Sequence, residues 1–342
     1  MAKPAQRNLV AILHAAVPPD AAADEQDTLV QIGVVAAALK RLGWTPVQVP
    51  VTLDLAAMAA RLKKMNPAIV FNLVESLGGR GQHQHLPASV LDAMGLPYTG
   101  NGTVALFETT NKALTKCRLA DAGIATAPWF EASEAPPKIA GKLIVKPVWE
   151  DASIGIDAGA VVGGVAEARR RMAEMAARHG GEWFAESFID GRELNIAMLE
   201  SPELPPDRPL LLPASELRFI DFPPGMPRVA DYASKWDKGS FAYIHTPLCL
   251  DIEDELAPLI ERLGEIALEC WKLFGLRGYA RVDFRLDRKN EPFVLEVNAN
   301  PCLSPDSGFA AMLRKAGMSF DQGIDMIVES RLRREAAVQR AS

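Results

Sequence analysis

Two rhythms of apolar and polar residues alternate along the first hundred positions. Short, nearly continuous apolar runs, "NLVAILHAA" (8–16), "TPVQVPV" (45–51), "AIVFNLVE" (68–75) and "LPYTG" (96–100), read as strands. Between them lie longer segments with apolar residues three and four apart, "DTLVQIGVVAAALKRLG" (27–43), "LAAMAARLKKM" (55–65) and "LPASVLDAMG" (86–95), which read as helices. This alternation predicts an open, largely parallel α/β sheet over residues 1–104. Ligands of such sheets bind beyond the carboxyl ends of the strands, here near Ala15, Glu75 and Thr99 to Asn101.

A second unit, 105–200, combines helices "NKALTKCRLADAG" (111–123) and "VAEARRRMAEMAARHG" (165–180) with strands "KLIVKPV", "AGAVV", "EWFAESFID" and "ELNIAMLE". Helices on one face of an antiparallel sheet are the natural packing for that order. The proline-rich "SPELPPDRP" (201–209) reads as a long turn or linker into a third unit, 201–342. There a weakly patterned stretch (221–247) precedes an amphipathic helix expected from about Asp254 to Phe274, stopped by Gly275. Two alternating runs, "GYARVDFRLD" and "EPFVLEVNAN", joined by Arg288-Lys289-Asn290, predict a β-hairpin.

Composition narrows the function classes. The 342 residues are 49% apolar and 23% charged, enough for sizeable cores, and carry a net charge of -6. With a pI near 5.5, a nucleic-acid or anionic-membrane partner is disfavoured, because those are gripped by Lys and Arg clusters. Small molecules are the expected partners. Cys117, Cys249, Cys270 and Cys302 form no C-x-x-C pair, so neither a zinc site nor a disulfide framework is suggested, and a reducing cytoplasm fits them. Lys3 and Arg7 before "NLVAILHAAV" superficially resemble a signal peptide, but the run is short, contains His14 and leads into Pro18-Pro19. No apolar stretch reaches the roughly 18 residues of a membrane span.

Candidate chemistry concentrates in the hairpin. Side chains of a strand alternate faces, so Arg281 and Asp283 share one face and Glu296 and Asn298 share one face of the partner strand. A two-residue turn at Lys289-Asn290 would set Asp283 opposite Glu296; other turns shift the register. Two carboxylates and an amide oxygen converging there call for a cation, and hard oxygen donors beside a phosphate are the pattern for Mg2+. Singly, each could be a charge on a solvated face. Lys146 ends an apolar strand and Lys112 opens a helix, while "DASIGI" (151–156) offers small residues whose N–H groups could approach phosphate. No Walker A motif occurs. In "FAESFIDGRE", Glu186 and Glu193 flank a turn, with Phe188 and Ile189 able to line an apolar slot; the segment reads equally as a hairpin with polar ends.

These residues resemble the ATP-grasp carboxylate-amine ligases, and within them the D-alanine:D-alanine ligase group. The resemblance spans nearly the whole chain and is carried by "GLPYTGN", "NKALTKCRLADAGIATAPW", "LIVKPVWEDASIGI", "ESFIDGRELNIAML", "YASKWD", "RVDF" and "LEVNANPCLSPDSGF". It implies a three-domain architecture, an N-terminal open α/β domain followed by two α+β domains clasping ATP, and a homodimer. It further implies that Lys112, Lys146 and Ser153 meet the ATP phosphates, Glu186 and Ile189 the adenine, and Glu193 the ribose. Asp283, Glu296 and Asn298 would bind two Mg2+ ions, with Mn2+ as a substitute. Lys235 would cover the γ-phosphate beside Trp236, which stands where Tyr is usual. Arg281 and the Cys302 N–H would form an oxyanion hole, with Ser307 near the acceptor's carboxylate. The implied reaction passes through an acyl phosphate to an amide, under a lid at 231–245.

The chain departs from that group around the first amino-acid site. The G-G-x-S-x-E signature is missing, with Glu25 a loose candidate for its carboxylate; Glu75 stands in the position of a His; and Ala152-Ser153 replace paired serines. Glu75, His83 and His85 could line an altered site, although loop histidines are commonly just exposed. The ligation chemistry is therefore expected to persist as in the D-alanine:D-alanine ligases, with a first substrate that could differ from D-alanine; a ligase of the same chemistry for other amino acids or a natural-product peptide is the alternative. Retention of Arg281 with three metal ligands argues against a non-catalytic ATP-binding module. A dinucleotide oxidoreductase lacks its G-x-G-x-x-G.

Overall fold

A computed structural model describes residues 6–252 and 256–341; Lys3 and the expected helix start at Asp254 lie outside the described residues. The N-terminal unit is a parallel three-stranded sheet of β1 (Gln6–Ala15), β2 (Thr45–Val51) and β3 (Pro67–Asn72) in the order β2-β1-β3. It is flanked by α1 (Ala23–Arg41), α2 (Leu55–Met65) and α3 (Leu86–Met94). Strand β1 is apolar on both faces because both are covered. Ala11 and Leu13 join the core under α2 and α3, while Val10 and Ile12 pack with Ile32 and Val35 of α1. Asp54 caps α2 by accepting the Ala57 N–H, and Asn66 ends it in the left-handed conformation at φ 49°. The expected strand at 96–100 contributes a single parallel bridge, Val70 to Tyr98.

Helices α4 (Thr103–Thr110) and α5 (Lys112–Asp121) lead into the second sheet. It comprises β4 (Trp129–Glu131), β5 (Leu143–Pro147), β6 (Val161–Val162) and β7 (Trp183–Ser187), antiparallel in the order β4-β7-β5-β6. Helix α6 (Val165–His179) lays Ala168, Met172 and Met175, spaced four and three apart, on Phe130, Leu143, Val145 and Ala185.

The third sheet, also antiparallel, contains β8 (Glu193–Leu199), β9 (Leu210–Leu211), β10 (Ser215–Leu217), β11 (Leu248–Cys249), β12 (Tyr279–Leu286) and β13 (Pro292–Asn298). The order is β11-β10-β8-β12-β13, with β9 beside β8. Here the sequence reading is corrected. Strand β8 does not pair with β7 as a hairpin but lies between β10 and β12, so the two sheets part between Ser187 and Glu193 rather than at residue 200. The apolar "ELNIAML" is buried at every position, which suits a central strand and carries no mark of which sheet receives it.

Two short helices, α7 (Tyr232–Trp236) and α8 (Phe241–His245), occupy the weakly patterned stretch. Helix α9 (Ala257–Leu273) ends before Gly275, whose φ of 58° suits the stop, and buries Leu263, Ala267, Cys270 and Trp271 against β8 and β12. Helices α10 (Gly308–Lys315) and α11 (Phe320–Ala341) close the chain, α11 returning to α1 through Ile324, Ile327 and Val328. Asn101, almost fully buried, locks the first unit to the third: its amide donates to Tyr279 O (2.8 Å) and Ala299 O (2.6 Å) and its oxygen accepts the Arg277 N–H. No helix among the described residues is long and apolar enough to cross a membrane.

Candidate active site

A cleft of about 850 Å³, its open mouth included, runs between the second and third sheets. On its upper wall, strand alternation turns Leu143 and Val145 into the α6 core and leaves Lys146 facing the cleft. The same alternation in β7 exposes Glu186 to that face. Glu186 is 1% exposed and carries two lysines: Lys146 Nζ donates to Oε1 at 2.5 Å and Lys116 Nζ pairs with Oε2. Lys116, equally buried on α5, also donates to Thr126 Oγ1 (2.8 Å) and Ala127 O (3.1 Å). Burial works to raise the Glu186 pKa, but the two ammonium groups overcome it and hold the carboxyl below its usual range. The Lys116 pKa is lowered as well: burial depresses it, and one carboxylate shared with the repelling Lys146 does not restore it.

Asn111 caps α5 by accepting the Leu114 N–H, which sets Lys112 in the first turn at the cleft edge. Lys112 Nζ donates to Glu150 O (2.8 Å) and Asp151 Oδ1 (2.6 Å). Burial depresses the lysine, but Asp151 and Glu296 leave its pKa raised overall. The next residues, Ala152 and Ser153, have φ of 54° and 61°, and Gly155 has 74°. Left-handed backbone of this kind turns successive N–H groups to one side, as in anion-binding nests.

The 229–236 segment is sewn over this loop. Ser153 Oγ donates to Ala230 O (2.6 Å), the Tyr232 N–H to Ile156 O (3.1 Å), and Trp236 Nε1 to Ala152 O (3.3 Å). Tyr232 Oη donates to Asp24 Oδ1 of α1 (2.8 Å), so Asp24 rather than Glu25 meets this segment. Lys235 lines the cleft beneath it.

The lower wall is the β8-β12-β13 face. Asp283 lies opposite Glu296 on one side and Asn195 on the other, and Arg281 opposite Asn298. The Arg281 guanidinium binds Asp283 through two bonds of 2.6 and 2.8 Å, and Asp283 and Glu296 together keep Arg281 charged despite burial. Asn298 Oδ1 accepts the Asn300 N–H at 2.9 Å. Toward the Ile189 end, Arg285 pairs with Glu193 at 3.3 Å, donates to Gly191 O at 2.7 Å and lies over the Phe188 and Phe219 rings. A side chain at residue 191 would put its Cβ 1.8 Å from Leu286 O, so only glycine lets the link from β7 pass this close to β12.

Of the sequence candidates, Lys112, Lys146, Ser153, Glu186, Ile189, Glu193, Lys235, Asp283 and Glu296 line this one cleft. Arg281 and Asn298 stand beside Asp283 and Glu296 on β12 and β13, while the remaining candidates are held by other contacts. Trp236 is turned to Ala152 O, and Ser307 caps α10 through the Ala310 N–H. Neither His83 nor His85 reaches the cleft: His83 is bonded to Leu77 O, and His85 packs edge-on against Phe107. Glu75 stands at the far end among α1 and the loop after β13. Its Oε1 accepts from Gln31 Nε2 (2.9 Å), while Asp27 accepts from Cys302 Sγ (3.1 Å) and Ser304 Oγ (2.8 Å). Although open to solvent, Glu75 has protein on most sides, and this enclosure, aided by Asp151 and Asp27, pushes its carboxyl up to about 7.

Sequence reasoning missed Lys116, Arg285, Gln31 and Asp27. Lys116 follows Lys112 by four residues on one helix, a spacing that puts both on the same face and could have flagged it. Arg285 extends the i, i+2 series of Arg281 and Asp283 and was likewise legible. Gln31 and Asp27 carried no local signal.

The family described as D-ala D-ala ligase C-terminus matches residues 123–329. The D-alanine–D-alanine ligase of Acidiphilium cryptum is 31% identical over 305 residues, 86% of this chain and 90% of that one. An uncharacterized protein of Sinorhizobium fredii is 30% identical over 272 residues, 78% and 75% of the two chains. In fold, the chain is similar to a D-alanine–D-alanine ligase of Bacillus anthracis solved with ATP, with a TM-score of 0.70 at 21% identity, covering 95% of this chain and 97% of that one. On a family match over more than half its length and this kinship along most of the remainder, the chain belongs to the D-alanine–D-alanine ligase family of ATP-grasp carboxylate–amine ligases.

Proposed function

We propose that the protein is an ADP-forming ligase that uses ATP and Mg2+ to join the carboxylate of one amino acid to the amine of another through an acyl phosphate. The observation that carries this reading is the facing pair Asp283 and Glu296, with Arg281 on the same surface and Lys112, Lys146 and Lys235 around the same cleft. Transfer of a phosphoryl group demands positioning and charge neutralisation more than a strong nucleophile, and these are the groups that supply it.

The donor set fits magnesium. Asp283, Glu296 and the Asn298 amide are hard oxygen ligands, and among the described residues no three acidic, His or Cys side chains converge into an all-protein cage. Mg2+ commonly takes one or two carboxylates and completes its shell with water and phosphate oxygens. When bound, the ions would offset the charge of the phosphates. In this reading Lys112, Lys146 and the Ser153 loop hold the phosphates, while Glu186, Ile189 and Glu193 meet the base and ribose. Lys235 and Trp236 close over the γ-phosphate. Arg281 and the Cys302 N–H meet the developing oxyanion, and Ser307 stands near the acceptor. The altered far end, with Glu75 and Asp27, favours a first amino acid other than D-alanine.

The test is amino-acid-dependent phosphate release from ATP across D- and L-amino acids, with products identified by mass spectrometry. Mg2+-dependent turnover is expected with at least one pair and is expected to vanish in Glu296→Gln. Normal turnover in that variant would remove the metal assignment, and turnover of D-alanine alone would remove the substrate one.

A further inference from the structure

An amine arrives at such a site as an ammonium ion and must lose a proton before it can attack, and none of the groups assigned above is a base for it. We propose that Glu75 accepts that proton and is a catalytic residue of the ligation step. The inference rests on the ligase reading and extends it to the second half-reaction.

Glu75 is pinned between α1 and the loop after β13. Gln31, 2% exposed on α1, donates Nε2 to Glu75 Oε1 at 2.9 Å and accepts the Leu303 N–H on its own oxygen at 3.2 Å. Asn300 Nδ2 donates to Val74 O at 3.1 Å. Gln31 ties Glu75, and Asn300 ties its neighbour Val74, to the loop that carries the Cys302 N–H, and Gln31 engages only one carboxylate oxygen. A fixed negative charge here would oppose the charge growing on the attacked carbonyl oxygen. A carboxylate that is neutralised by the incoming ammonium would not.

The groups facing Glu75 are Asp27 and Gln31 from α1, Asp151 from the loop after β5, Arg281 and Tyr279 from β12, and Cys302 from the loop after β13. Enclosure and the two aspartates favour the acid form, and Gln31 and Arg281 favour the carboxylate. The carboxyl, pushed up to about 7, therefore holds both forms near neutrality, which is the condition for an effective general base.

In the step, one ammonium proton passes to Glu75 and the freed nitrogen lone pair bonds to the carbonyl carbon. The carbon–oxygen bond to phosphate then breaks, its electron pair leaving on phosphate. A second N–H proton goes to that phosphate, giving the amide, hydrogen phosphate and a neutral Glu75.

The test uses full-length protein and its Glu75→Gln and Glu75→Asp variants. Glutamine can still accept the Gln31 bond. Each is assayed with ATP, Mg2+ and the active carboxylate substrate against two acceptors: the amino acid, which must be deprotonated, and hydroxylamine, which is already neutral at assay pH. Amide formation by Glu75→Gln is expected to fall about 10²- to 10⁴-fold in kcat, with hydroxamate formation within a few-fold of wild type and partial recovery in Glu75→Asp. The acidic limb near 7 in the wild-type pH profile should disappear in Glu75→Gln. Undiminished amide formation, or equal loss with both acceptors, overturns the proposal. Absence of hydroxamate with wild type and every carboxylate overturns the ligase reading instead.

Discussion

Asp283 faces Glu296 across the last hairpin even though the turn joining their strands has three residues rather than two. Asp287 N–H bonds to Glu291 O across that turn, and Asn290 takes a φ of 61°. Continued regularly, that turn would set Asp283 against Leu295 and send Glu296 into the core. A bulge at Leu295 shifts the pairing from Phe284–Val294 to Asp283–Glu296 and returns the carboxylate to the cleft. Asp283→Asn is therefore expected to lower kcat by about 10²- to 10³-fold while ATP still binds, because the variant keeps the shape but loses the charge facing Glu296. Turnover and ATP affinity at several Mg2+ concentrations check this; a turnover unchanged at saturating Mg2+ contradicts it.

Lys116 and Glu186 form a buried pair whose removal has a defined acid signature. Lys116→Met should cost about 3–5 kcal/mol in denaturant unfolding, since one lysine remains for a carboxylate with almost no solvent. Glu186 is held below its ordinary value of 4.5, so its contribution is present above that pH and is lost as pH falls through the folded value. The variant should show a shallower loss of stability in acid. Parallel pH curves for the two proteins would be inconsistent with this assignment.

The hydrogen bond from Tyr232 to Asp24 joins the segment over the 151–156 loop to α1 and so holds that segment across the cleft. Tyr232→Phe removes about 0.5–1.5 kcal/mol of that closure, and an acyl phosphate reached by water is hydrolysed. Phosphate released per amide formed should rise several-fold. An unchanged ratio rules out a role for this contact in excluding water.

Glu75 predicts a pH dependence of opposite sign to Glu186. Its folded carboxyl is raised from 4.5 to about 7, so the folded protein holds that proton more tightly than the unfolded chain. Its contribution is fully present below 4.5 and declines as pH rises toward 7. Glu75→Gln should gain stability relative to wild type across this interval in denaturant titrations. A constant difference between the two would contradict the assignment.

The α/β rhythm of the first hundred residues and the face shared by Asp283 and Arg281 were legible because they depend on periodicity within one element. The sheet that receives β8 was not. A strand buried on both faces has the same composition wherever it pairs, and its move away from β7 depends on the bare backbone of Gly191 beside Leu286. The two histidines show the same limit: their sequence position near Glu75 said nothing of Leu77 O and the Phe107 ring, which hold them outside the cleft.

The sequence by itself determined which residues alternate toward a common face, where helices begin and end, and the motifs that resemble a ligase family. Only the tertiary structure decided that a bulge restores the Asp283–Glu296 register, that Lys116 shares Glu186 with Lys146, and that Gln31 ties Glu75 to the loop of Cys302. The physical reason is range. Periodicity and capping act over a few residues, whereas these contacts join residues distant in the chain, and their geometry exists only once the sheets have packed.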